Sequence, residues 1–442
     1  MNDTICALIT APGTAAIAVI RVSGISTFEL LAGFFDKAER LSKAASHSCI
    51  FGSFLDAEGR PLDEVLLTVF RAPKSYTGED TIEISCHGNP HIIDRILSCL
   101  LSRARMANPG EFTLRAFLNN KMDLSEAEAV NDLIVAGSSK AHEAALMQVK
   151  GYLSRHLQTL LDEIFDARLR CELAIDFSDQ DLPQIDLEDL AHRIRAIREK
   201  AEALHDEGRH ARKLREGIRI CLAGAPNAGK SSLFNAFLKQ NRAIVTPHPG
   251  TTRDYLEESF SLSGYPIVLF DTAGLRDSGD SIEREGIVRS YDLMQSSDLI
   301  LYLYESQNPD LPDGIEQFLD KLIFVANKAD LFPTRKLPAD HVPASTVDPD
   351  GLALLARTIL NRLKMPTQIL ERPLVTNARH LAAVQRCIQA LRQAEQALAA
   401  DAGFEFIVSD LISAASALED ILGVVPTDAL LGKIFDNFCI GK

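Results

Sequence analysis

The chain has no tryptophan, and its eight cysteines (6, 49, 86, 99, 171, 221, 387 and 439) form no C-x-x-C pair. Without that spacing the common zinc-site patterns are excluded, and reduced thiols of a cytoplasmic protein are expected. No apolar run approaches the roughly 18 residues of a membrane span, so no membrane partner is expected. The first residues carry no basic stretch ahead of an apolar one, unlike a secretory leader. Positive charge is also scarce: 46 Lys and Arg face 61 Asp and Glu, a formal net charge of −15. A broad nucleic-acid coat needs the reverse balance. An RNA partner must then meet a local basic patch or be held by a second protein. The candidate patch, residues 192–219, holds Arg193, Arg195, Arg198, Arg209, Arg212, Lys213 and Arg215. Glu199, Glu202, Asp206 and Glu207 interrupt it, so a solvated helix face is the simpler reading.

What is present is enough apolar material for several cores: 442 residues, 46% of them hydrophobic. Residues 3–118 mix short β-like runs (15–22, 64–70, 81–86) with helical patterns at 28–35 and 91–103, which reads as an α+β domain. From 111 to about 215, leucine and alanine recur at helical spacing, with a break at 179–186 around Pro183. From 217 to about 364, near-continuous apolar runs at 218–223, 266–270, 298–304 and 322–326 alternate with helices. That is the pattern of a mainly parallel sheet covered on both faces. Residues 379–436 are helical again. The expected architecture is multi-domain α/β. It has an N-terminal α+β domain (1–118), an all-α domain from two separated segments (119–215 and 373–442) and an inserted nucleotide domain (216–372).

Chemistry concentrates in the insert. Gly224-Ala225-Pro226-Asn227-Ala228-Gly229-Lys230-Ser231 fits G-x-x-x-x-G-K-S between a strand and a helix. Its glycines let backbone N–H groups face phosphates, Lys230 reaches the β- and γ-phosphates, and Ser231 offers its hydroxyl to Mg²⁺. Asp271-Thr272-Ala273-Gly274 follows an apolar strand. Asp271 can hold Mg²⁺ through water, and the Gly274 N–H can sense the γ-phosphate. Asn327-Lys328-Ala329-Asp330 ends another strand. The Asp330 carboxylate can accept two hydrogen bonds from guanine, a donor pair adenine lacks, although a helix cap is the plainer role for such a residue. The loop backing the base is expected at Ser345-Thr346-Val347, which departs from Ser-Ala-Lys. Gly250-Thr251-Thr252-Arg253-Asp254 stands where a switch loop belongs, with Thr252 the expected second Mg²⁺ ligand. No glutamine occupies the water-positioning place, since Leu275 follows Gly274. A hydrolase here must orient water and neutralise charge by other means.

These motifs, with Asp271-Thr272-Ala273-Gly274-Leu275-Arg276 and the terminal Cys439-Ile440-Gly441-Lys442, resemble the MnmE (TrmE) family of tRNA-modification GTPases over essentially the whole chain. Val19-Ile20-Arg21-Val22-Ser23-Gly24, Ser75-Tyr76-Thr77-Gly78-Glu79-Asp80, His87-Gly88, Asn108-Pro109-Gly110-Glu111-Phe112-Thr113, Arg115-Ala116-Phe117-Leu118-Asn119 and Lys121 carry the likeness through the N-terminal region. The resemblance implies a folate-binding, dimerising N-terminal domain and a heterotetramer with the flavoprotein MnmG. It implies that a tetrahydrofolate one-carbon unit (5,10-methylene- or 5-formyl-) is joined, with glycine or ammonium, to C5 of the wobble uridine of certain tRNAs. It also implies GTP hydrolysis promoted by K⁺-dependent pairing of the dimer's G domains. K⁺ would be held by the Asn227 side chain and backbone oxygens of Thr246, His248 and Thr251. Pro247 and His248 stand where the family pattern has Asp and Ile, a change that a backbone ligand tolerates.

By the same likeness Glu283 orients the attacking water; taken alone it is a helix-start residue. Lys230 and Thr252 complete the catalytic set. The guanine-nucleotide contacts are Asn227, Ala228, Gly229, Lys230, Ser231, Ser232, Thr246, Thr251, Thr252, Asp271, Thr272, Ala273, Gly274, Asn327, Lys328, Asp330, Ser345 and Thr346. Arg21, Glu79, Lys121 and Lys442 match the folate positions, where cations suit tail carboxylates and a carboxylate suits the pterin. Each alone would be a surface charge. Cys439 is either a reactive thiol beside the folate or a packed one. The alternative to a modification enzyme is a regulatory GTPase of ribosome or RNA assembly without one-carbon chemistry.

Overall fold

A computed structural model describes residues 3–176, 186–224, 227–241, 256–271, 291–305, 311, 314–331, 337–365, 375–436 and 438–441. Two compact units make up the chain: Met1–Asn131 with Glu419–Lys442, and Asp132–Leu418.

In the first unit, strands β1 (Ile5–Leu8), β2 (Ile17–Ser23), β3 (Ser48–Leu55), β4 (Pro61–Phe70), β5 (Thr81–His87) and β6 (Arg105–Met106) form one sheet ordered β3-β4-β5-β2-β1-β6. Its pairs are antiparallel except β1 with β6. Strict alternation drives β4: Val65, Leu67 and Val69 are buried while Glu64, Leu66 and Thr68 turn outward or to the margin. The buried set packs against Leu30 and Leu31 of the helix Thr27–Ala32 and Ile93, Ile96 and Leu100 of the helix Pro90–Leu100. The latter starts where Asn89 accepts a hydrogen bond from the His91 N–H and Pro90 follows. On the sheet's other face, Ile5 and Ala7 meet Ala107 and Phe112.

The C-terminal residues belong to this unit. Phe435 and Phe438 pack with Leu124 and Ala127. Gly110 sits at φ 67° against this cluster, where a Cβ would lie 2.9 Å from the Phe435 carbonyl oxygen. Gly441 approaches β1 so closely that a Cβ would stand 2.6 Å from the Leu8 carbonyl oxygen. Only glycine fits either place.

A charge network lies under the first unit's surface. Arg115, 1% exposed, donates to Asp3, Glu79 and Glu111, and Glu111 also receives Arg105. Burial works to raise the Glu111 carboxyl, but the hydrogen bonds from Arg105, the Asn108 N–H and Arg115 outweigh it, and the group is held below its usual range. A depressed carboxyl stabilises the fold above its unfolded-state pKa, and that stability is lost as pH falls through the folded-state value. Glu111→Gln is therefore expected to lower stability at neutral pH by on the order of 3 kcal/mol. In thermal unfolding, its deficit against the parent should shrink as pH falls through the acidic range. A deficit independent of pH would contradict the ionised network.

In the second unit, strands β7 (Ile218–Gly224), β8 (Leu256–Leu262), β9 (Tyr265–Asp271), β10 (Leu299–Tyr304), β11 (Leu322–Ala326) and β12 (His341–Pro343) form a sheet ordered β12-β11-β10-β7-β9-β8. It is parallel except for β8 at the edge. Leu233, Phe234 and Phe237 of the helix Lys230–Asn241, with Leu352, Leu355 and Ile359 of the helix Pro349–Arg362, cover one face. Leu293, Met294, Ile315 and Phe318 cover the other. Burial on both faces explains why the central strands read as unbroken apolar runs.

The same unit holds the helices Ser139–Val149, Tyr152–Asp176, Leu187–Glu216 and Ala378–Ala399. Leu187–Glu216 and Ala378–Ala399 run antiparallel: Gly208 lies against Leu381, while Arg198 pairs with Glu395. The candidate basic patch on Leu187–Glu216 is largely spent on ion pairs. Arg193 meets Asp189 and Asp166, Arg198 meets Glu202, Arg212 meets Glu216, Lys213 meets Asp298 and Arg215 meets Asp132. The expected break at 179–186 falls mainly outside the described residues. Among the described residues no helix is long and apolar enough to cross a membrane.

Candidate functional site

The described parts of the nucleotide motifs meet at the carboxyl ends of β7, β9 and β11, the edge where open parallel sheets bind ligands. β7 stops at Gly224, φ 136°, where a Cβ would lie 2.1 Å from the Leu303 carbonyl oxygen of β10. Asn227 follows at φ 63° and Gly229 at φ 88°, so the chain turns sharply before the helix Lys230–Asn241 begins. Lys230 is 8% exposed, and its Nζ donates to the Gly224 carbonyl at 2.8 Å. The ammonium is thereby held against the end of β7. Ser231 and Ser232, in the first turn, are exposed.

Asp271 is the last residue of β9, 1% exposed, and pairs in register with Leu222. Its Oδ2 accepts from Ser231 Oγ at 3.3 Å. A hydroxyl and a carboxylate side by side at the phosphate end form a hard-oxygen pair that suits Mg²⁺, directly or through water. Beside them, burial first and then the Asp271 charge push the Cys221 thiol up to about 12. That cysteine is an inert packing group.

The Asn327–Asp330 segment is locked to the loop that precedes Lys230. Asn327, 1% exposed, donates from Nδ2 to the Ala228 carbonyl at 2.7 Å. A Cβ on Gly229 would fall 2.2 Å from that same Nδ2, so the second motif glycine is required by the Asn327 contact. The Asn327 Oδ1 is buried without a hydrogen-bond partner. Lys328, at φ 56°, turns back so that its Nζ lies 3.5 Å from the Asn227 carbonyl and pairs with Glu305. Asp330 lies exposed in the short turn Ala329–Leu331. The Ala329 N–H donates to the Ala344 carbonyl, which brings Ser345 and Thr346 beside this turn. Ser345 is buried, and its Oγ accepts from the Val347 N–H. Asp348 then caps the helix Pro349–Arg362.

Thr246, His248, Thr251, Thr252, Thr272, Ala273, Gly274 and Glu283 lie outside the described residues, as does Lys442. Of the expected K⁺ ligands only Asn227 is described, and it is exposed.

Of the folate candidates, Arg21 sits on β2, Glu79 in the loop before β5, and Lys121 beyond the helix Glu111–Leu118. Arg21 is 8% exposed, with its guanidinium 5.2 Å from the Tyr76 ring centroid and 5.4 Å from that of Phe112. Its Nε and Nη2 both donate to Glu83, its register partner, and its buried Nη1 has no partner. An open donor beside two rings suits a flat ligand that carries an acceptor. Glu79 is half-spent: it accepts from Ser23 Oγ and from Arg115. Lys121 is exposed, and its Nζ donates to the Pro73 carbonyl. Gly78, at φ 79°, lets the loop close on Asn119 and Lys121. Cys439 is exposed; its carbonyl accepts from the Gly110 N–H. Sequence reasoning gave no role to Glu83, Arg115 or Glu305. For Glu83 a signal existed, since period-two counting places it on one face of β5 with Thr81. Among the described residues no cluster of His, Cys, Asp or Glu is set to hold a metal by itself.

Comparison with known proteins finds relatives along the whole chain. Residues 4–121 match the GTP-binding protein TrmE N-terminus and residues 124–439 the MnmE helical domain. The tRNA modification GTPase MnmE of Moorella thermoacetica is 40% identical over 466 residues, covering 100% of both chains. That of Aquifex aeolicus is 37% identical over 456 residues, again 100% of both. That of Christiangramia forsetii is 36% identical over 473 residues, also 100% of both.

Proposed function

The chain belongs to the MnmE family of tRNA modification GTPases, and from that premise we propose that it acts with the flavoprotein MnmG on the wobble uridine of certain tRNAs. The product is a carboxymethylaminomethyl or aminomethyl group at C5. The family relationship supports the tRNA reaction. The observation that supports GTP as its driver is the Asn327 bond to Ala228, which joins base-reading and phosphate-reading segments in one crevice.

In this mechanism the curl from Gly224 to Lys230 cradles the phosphates, and Lys230 offsets their charge. Ser231 and Asp271 would hold Mg²⁺, with Thr252 as a second ligand. Asp330 selects guanine through its N1–H and exocyclic amine. Ser345 and Thr346 back the base. With no glutamine after Gly274, Glu283 would orient water, and Asn227 would hold a K⁺ ion that would supply positive charge to the phosphates when two G domains of a homodimer meet. Arg21, Glu79, Lys121 and Lys442 hold a tetrahydrofolate, which supplies the one-carbon unit when bound.

The test is wobble-uridine modification in bulk tRNA from cells with and without this protein. Loss of the C5 group without the protein is expected. Unchanged modification, with ribosome profiles altered instead, would favour an assembly GTPase. Turnover by the purified chain should be faster in K⁺ than in Na⁺, and equal rates would remove the cation step alone.

A further inference from the structure

A carboxylate stands where a phosphate site has least use for one. Glu305 is the first residue beyond β10, the strand between β7, which ends in the phosphate loop, and β11, which leads into Asn327-Lys328-Ala329-Asp330. Register places it at the same edge: Leu303 pairs with Gly224 and Tyr304 with Ala326. A negative charge at this edge opposes binding of a polyanion. Its partner across the crevice is Lys328, to which it is ion-paired. Lys328 takes a left-handed backbone conformation, φ 56°, and its Nζ also lies 3.5 Å from the Asn227 carbonyl. The lysine stem therefore bridges the turn that reads the base and the loop that reads the phosphates.

We propose that Glu305 is a positioning residue for the guanine nucleotide: it holds the Lys328 ammonium against the phosphate loop before the nucleotide arrives. A lysine has four rotatable side-chain bonds, and ordering them on binding weakens affinity. Glu305 fixes them beforehand. It also cancels part of the lysine's charge, so the side chain serves as a rigid wall more than as an electrostatic lure. Both side chains are about two-fifths exposed, 36% for Glu305 and 40% for Lys328. A pair so exposed adds little to fold stability. Its worth lies in what it orders. This inference rests on the reading of Asn327–Asp330 as the guanine site.

The experiment is a double-mutant cycle on the full-length chain, with the dissociation constant of a fluorescent GDP and the KM and kcat for GTP as readouts. Glu305→Gln is expected to weaken GDP binding roughly threefold to tenfold. KM should rise in step, and kcat should change less than KM. Glu305→Asp, which keeps the charge on a shorter arm, should restore part of the loss. With Lys328 already changed to Met, Glu305→Gln should weaken binding no further. Tighter or unchanged GDP binding in Glu305→Gln would overturn the proposal, because the carboxylate would then be only a repulsive charge. So would an equal loss in both backgrounds, which would mean that Glu305 does not act through Lys328. Asp330→Asn serves as the control: if it leaves GDP binding intact, the guanine-site reading fails, and Glu305 is not what failed.

Discussion

Asp330→Asn should weaken GTP binding by about a hundredfold to ten-thousandfold and confer binding of xanthosine triphosphate. In the proposed mechanism the carboxylate accepts two hydrogen bonds from guanine, each charge-assisted and each contributing about 1.5–3 kcal/mol. An amide keeps one acceptor and turns the other into a donor, which opposes the exocyclic amine. Xanthine carries a carbonyl at that position, so the same donor then finds a partner. Asp330 lies exposed in its turn, so the substitution should fold as the parent does. Competition against a fluorescent GDP, with both triphosphates on both proteins, measures the exchange. Undiminished GTP binding by the variant would show that Asp330 does not touch the base.

Lys230→Met should lower kcat for GTP by about a hundredfold to a thousandfold, the usual cost of removing one preorganised charge donor from a transition state. Methionine keeps most of the buried stem, which matters because Lys230 is 8% exposed. In the parent the ammonium is already held at the end of β7 by the Gly224 carbonyl at 2.8 Å. Little reorganisation is then needed when the phosphates enter. Single-turnover hydrolysis at saturating GTP separates this loss from weaker binding. A variant with unchanged single-turnover rate would place the charge-neutralising role elsewhere.

The nucleotide crevice was legible in the sequence because its strands are buried on both faces. β7, β9 and β11 each read as an apolar run that ends at a motif, β10 reads as an apolar run without one, and the observed strands match those runs to within a residue at either end. β8 was not legible. Leu-Glu-Glu-Ser-Phe-Ser-Leu is an edge strand, with Glu257 and Glu258 adjacent, and lacks both an apolar run and clean alternation. β12 is three residues long, and β1 is short and buried on both faces, so neither offers a period to count.

Partners across long sequence separations were hidden for a different reason. Arg115 looks like a surface charge in its helix, yet it is among the most buried large side chains. Asp3, 112 positions away, and Glu79, 36 away, neutralise it there. Arg21 was read as a ligand for an anion, but its pairing with Glu83 follows only from the β2–β5 register. The Glu305–Lys328 pair likewise exists only because β10 and β11 are neighbours. Local pattern shows which residues carry charge. Strand order decides which charges meet.

The most direct test of the account is the choice between guanine and adenine by the purified full-length chain with Mg²⁺ present. Equilibrium displacement of a fluorescent GDP should proceed with unlabelled GDP or GTP and fail with a large excess of ADP or ATP. Displacement by adenine nucleotides at concentrations comparable to GDP would contradict it.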